Sequence, residues 1–108
     1  MKRYLTLPAL ALVLAVAGPA AGYETLEEDF SVCLGGPDQS SKEAVVGACT
    51  RLIDNAQTEN SIVGTFYAMR AMSNDDGASN CRDAQKSLEL ADQPSTQEAS
   101  QSLIDLYC

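Results

Sequence analysis

Four cysteines, Cys33, Cys49, Cys81 and Cys108, sit in a chain of only 108 residues, and the segment ahead of them reads as an export leader. Met-Lys-Arg-Tyr is basic, Leu5 to Ala17 is an uncharged apolar run, and Gly-Pro-Ala-Ala-Gly follows it. That order is a secretory signal peptide. Leu5 to Ala21 lies at the short limit for spanning a bilayer and carries Pro8 and Pro19, so a cleaved leader (1–22) is expected rather than an anchor. Small residues at Ala20 and Gly22 fit a cut before Tyr23, with cuts after Ala20 or Ala21 also acceptable, and 23–108 is expected to form one domain. The first cysteine after the run is Cys33, too far on for a lipid-anchored start. The expected destination is the periplasm or the extracellular space, where thiols oxidise. A domain of this size buries only about 60 to 65 per cent of its chain surface, so its core alone is marginal. Four cysteines in such a setting read as two disulfides. Zinc, the competing use, lacks both a Cys-x-x-Cys pair and any histidine. No metal or cofactor is expected.

Helix signals fill the mature chain. Ile62 to Met72 is its most apolar stretch, with Ile62, Phe66 and Met69 on one helical stripe and Val63, Tyr67 and Ala71 on a second. A helix apolar on two faces is normally sandwiched between neighbours, so the other segments should pack around it. Thr25 with Glu28, Ser40 with Glu43 and Ser95 with Glu98 have the spacing of capping boxes and mark three helix starts. Leu26, Phe30, Cys33 and Leu34 form the first stripe, which Gly35-Gly36-Pro37 ends. Val45, Cys49, Leu52, Ile53 and Ala56 form the second, running to about Gln57. Ser73-Asn74-Asp75-Asp76-Gly77 is a turn that lacks the spaced ligands of a calcium loop. Cys81, Ala84, Leu88 and Ala91 make the fourth stripe, stopped by Asp92-Gln93-Pro94, and Ala99, Leu103 and Leu106 the fifth. No strand pattern competes. The expected fold is all-α, about five short helices in antiparallel hairpins. Its core should hold Phe30, Val45, Leu52, Ile53, Ile62, Phe66, Met69, Leu88, Leu103 and Leu106.

Helix geometry ranks the three pairings that four cysteines allow. From Cys81 the fourth helix descends to Asp92, and the fifth climbs from Ser95 to Cys108. At about 1.5 Å per residue the two cysteines return to nearly one level. Cys81 therefore pairs with Cys108, and elimination leaves Cys33 with Cys49.

Loss of the leader removes Lys2 and Arg3, which leaves five cations against fifteen acids, a formal charge of −10. So acidic a surface repels phosphate backbones and anionic lipids, which argues against nucleic-acid and membrane-surface binding. Without histidine, and with the cysteines oxidised, the common general base and thiol nucleophile are both missing. Asp75 and Asp76 are adjacent in a turn, the other acids read as exposed helix faces, and no serine sits in a Gly-x-Ser-x-Gly elbow. An enzyme is not expected.

Cys49-Thr50-Arg51-Leu52-Ile53, then Phe66-Tyr67-Ala68-Met69-Arg70-Ala71, an Asp-Asp-Gly turn and Lys86-Ser87-Leu88-Glu89-Leu90 resemble exported bacterial tetratricopeptide-repeat proteins. The likeness spans a single repeat, with Ala68 and Ser87 at its small positions and Pro94 as its closing proline. It implies helical-hairpin architecture and a non-catalytic protein-interaction module, monomeric, whose partner is another envelope or secreted protein. A periplasmic immunity protein that blocks a toxin enzyme, or a periplasmic stress chaperone, are the alternative readings. For the contact itself, Tyr67 and the neighbouring Arg70 are the candidates, with Tyr23 and Tyr107 as further aromatic edges, because tyrosine and arginine are enriched at interface centres. The competing use of Arg70 is an internal bond to an acid such as Asp83.

Overall fold

The structure, a computed structural model, describes residues 26–55 and 57–108. The expected leader, Tyr23, Thr25 and Ala56 lie outside them. Five helices make up the regular structure of the described residues: α1 (26–35), α2 (Lys42–Asn55), α3 (Asn60–Ser73), α4 (Gly77–Leu90) and α5 (Pro94–Tyr107). The all-α class expected from the sequence is the one observed, and so are both disulfides. Cys33 is bonded to Cys49 and Cys81 to Cys108, with Cα atoms 5.0 and 5.1 Å apart.

Local chemistry sets each boundary, not always where the sequence pattern put it. Gly36 adopts a φ of 75°, the left-handed closure that glycine permits after a helix, and its N–H donates to Val32 O at 3.3 Å. The cap of α2 is Ser41 rather than Ser40: its Oγ accepts from the Ala44 N–H at 3.1 Å. Ser40 is spent in the preceding turn, its N–H donating to Gly36 O. Asp76 caps α4 by accepting from Ala78 N–H at 3.2 Å, which makes Gly77 the first helical residue instead of the last of a turn. The expected Ser95–Glu98 box does not form, because α5 already starts at Pro94, whose fixed φ and missing N–H suit the first helical position. Pro94 opens a helix here; α4 ends at Leu90.

Cross-links fix the topology. Asp29 and Cys33 of α1 meet Arg51 and Cys49 of α2. Lys42 at the start of α2 reaches Asp75, beyond the end of α3. Gly64 early in α3 lies against Leu90 at the end of α4, while Arg70 later in α3 bonds Asp83 early in α4. The Cys81–Cys108 bridge sets α5 against α4. Consecutive helices therefore run antiparallel.

The core gathers at the α1–α2–α3 end, where Cys33, Val45, Ala48, Cys49, Leu52 and Phe66 are fully buried. Phe30 meets the Phe66 ring edge-on at a centroid distance of 5.3 Å. Val45 and Leu52 are buried as expected, and Phe30, Ile53 and Met69 pack against the cluster half-buried. Four expected core residues are not in it: Leu88 and Leu103 are half-buried elsewhere, between the later helices, and the other two are exposed. Ile62 is 36% exposed and Leu106 69%. Ile62 stands in the first turn of α3, above the exposed connection 57–59, where no layer covers it. In α5 the inward stripe is Ser100, Leu103 and Tyr107, turned by one residue from the expected Ala99, Leu103 and Leu106. Not all acids lie on exposed faces either: Asp29 is 5% exposed and Asp83 6%, each against an arginine.

Candidate functional site

Since α3 and α5 are both antiparallel to α4, they run parallel to each other, and they come into contact across it. Between them lies a groove of about 410 Å³. Thr65, Ala68, Met69 and Met72 of α3 form one wall, and Thr96, Ala99, Ser102 and Leu103 of α5 the other. Its floor is set by close helix packing. A Cβ on Gly64 would lie 3.1 Å from Leu90 Cβ and 3.3 Å from the Ser87 carbonyl, so glycine lets α3 cross α4 this tightly. Behind it the Ser87 and Ser100 hydroxyls, each 3% exposed, bond one another at 2.7 Å and leave neither group unpaired.

The walls carry little outward-directed polar chemistry. Thr65, Thr96 and Ser102 donate their hydroxyls to carbonyls of Ser61, Gln93 and Glu98, so these polar atoms are turned back onto their own chain. None of the residues lining the groove is titratable. What faces solvent is methyl, methylene and thioether surface, with Met72 39% exposed at the rim. Such a slot can take apolar surface but has nothing with which to move a proton.

The sequence-derived candidates lie on another side, at a polar cleft between α2, α3 and α4. Arg70 lines that cleft, and Tyr67, one turn before it on α3, has its ring centroid 5.4 Å from the guanidinium carbon. Arg70 is committed internally: Nε and Nη2 each donate to Asp83 at 2.8 Å, and Nη1 donates to Thr50 Oγ1 at 3.0 Å. The Asp83 hydrogen bonds raise the Arg70 pKa above its ordinary value, against the opposing pull of burial. Tyr67 is half-buried, as is Tyr107. The same economy governs the other cations, since Arg51 pairs with Asp29, Lys42 with Asp75 and Lys86 with Glu89. Only Arg82 has no carboxylate within ion-pair distance among the described residues; it donates to Ser79 Oγ at 3.1 Å.

Sequence reasoning missed the groove because its walls come from two helices whose relative rotation depends on the third. The available signal was composition: Gly64 and Ala68 on α3, and no lysine or arginine anywhere from Ser87 to Cys108. Among the described residues no cluster of acids and cysteines is arranged to hold a metal ion, and no helix is long and apolar enough to cross a membrane. Compared with protein-family models, with curated proteins and with solved structures, the chain gives no significant match.

Proposed function

We propose that the chain is a small exported, non-catalytic protein-interaction module of tetratricopeptide-like type, which grips an apolar segment of another envelope or secreted protein in the groove between α3 and α5. The observation that carries this reading is the groove itself: a solvent-open apolar slot lined without a titratable group, on a scaffold whose cations are nearly all consumed in internal pairs. Open apolar surface rimmed by polar residues is a common form of protein-interaction site. The two disulfides suit an oxidising compartment, which fits an exported protein.

The test is comparative capture from an envelope extract with the exported chain and with Thr65→Trp, which plugs the groove from an exposed position. A partner retained by the first at one-to-one stoichiometry and lost by the second is the expected result. Equal capture by both places the contact elsewhere. A captured hydrolase that loses activity in the complex would turn the reading toward an inhibitor.

A further inference from the structure

From the chemistry of its rim and walls, we infer that the groove between α3 and α5 receives a cationic amphipathic helix, its apolar face in the slot and its lysine or arginine flank along α5. This rests on the groove being the contact site. The occupant is helical because the walls offer no backbone pairing. Both are α-helices whose N–H and C=O groups bond within themselves, and the wall hydroxyls of Thr65, Thr96 and Ser102 are likewise turned inward. An extended segment would bring a row of backbone N–H and C=O groups into a slot that offers only a few scattered hydroxyl acceptors and no matching ladder, at the cost of dehydrating them. A helix enters with its own bonds made and presents only side chains.

The occupant is cationic because the unpaired charges beside the groove, on α5 and at the connections into α3 and α5, are acids, while Lys86 next to Ser87 is paired with Glu89. Glu98 and Asp105 stand four residues before and three after Ser102, so they share one stripe of α5 with a groove-lining residue. Asp92 joins α4 to α5, and Glu59 immediately precedes α3. All four side chains are exposed, and none is held in an ion pair among the described residues. A second copy of this chain, acidic itself, is repelled from such a rim, and so is a nucleic acid. A basic helix is drawn in by the long-range field and then held by apolar contact.

The probe is a fluorescent Leu–Lys amphipathic helix of about 18 residues, long enough to span the slot, beside its Leu–Gln counterpart. Each is titrated by anisotropy at about 20 and 300 mM salt, conditions that differ several-fold in screening length. Wild type with both disulfides intact, Thr65→Trp and the double variant E98K/D105K are compared after their melting curves are checked. Expected for wild type is roughly tenfold tighter binding of Leu–Lys than of Leu–Gln at low salt, a preference that shrinks at high salt. Thr65→Trp abolishes binding, and E98K/D105K removes the preference while keeping the Leu–Gln affinity. If both peptides bind equally and both are blocked by Thr65→Trp, the groove stands and the cationic partner falls. If Leu–Lys binds regardless of Thr65→Trp, or if neither peptide binds, the groove reading falls with it.

Discussion

Asp83 joins three helices through one guanidinium, since Arg70 of α3 reaches both it on α4 and Thr50 on α2. Its side chain is 8% exposed, and that of Arg70 21%. Asp83→Asn keeps the shape but strips the charge from the fork, and is expected to cost about 2 to 3 kcal/mol in urea unfolding. Lys42→Gln breaks only an exposed pair and should stay within about 0.5 kcal/mol of wild type. Pairing raises the Arg70 pKa. Its contribution is therefore complete below the ordinary guanidinium value and is lost only as pH climbs past the raised one, so mild alkali leaves the fork's cation charged. In the core, Phe66→Ala should cost about 3 to 5 kcal/mol, while Ile62→Ala, at a partly exposed site, should cost under about 1.5 kcal/mol. Similar losses for the two would mean that α3 is rotated from the orientation described.

At the level of elements, the number of helices and their order could be read from the sequence because each carries its own 3.6-residue pattern and each break its own glycine, proline or Asx residue. Rotation about a helix axis was less legible. Ala99 and Leu106 continue a plausible apolar stripe, yet α5 turns Ser100 and Tyr107 inward, because Ser87 offers Ser100 a hydroxyl partner across the interface. A pairing between residues on different helices leaves no trace in either local pattern. Asp29 and Arg51 make the same point, as does the groove, whose walls never occur together in one stretch of chain. The cap of α2 was legible to within a residue, that of α5 was not, and a single residue matters. Ser41→Ala should cost about 1 kcal/mol, whereas Ser40→Ala should remain within about 0.5 kcal/mol. Thermal melts of the two variants separate these outcomes.

For the whole molecule, the bridges differ in access although each closes a loop worth about 3 to 4 kcal/mol in the chain-entropy picture. Cys33 and Cys49 are wholly buried within the apolar cluster, whereas Cys108 is exposed. Because exchange requires a thiolate to reach sulfur, mild reductant followed by alkylation should label Cys81 and Cys108 well before Cys33 and Cys49. The two rings also do not overlap: one spans 33–49, the other 81–108, and α3 belongs to neither. As a covalent graph the domain is two closed loops on a string. A trypsin cut after Lys42, Arg82 or Lys86 opens a ring, and the severed ends remain tied. A cut after Arg51 or Arg70 severs the string, and on a denaturing, non-reducing gel two looped pieces should separate. In the folded state those pieces are kept together by noncovalent contacts only, the packing of α3 and the Lys42–Asp75 ion pair among them.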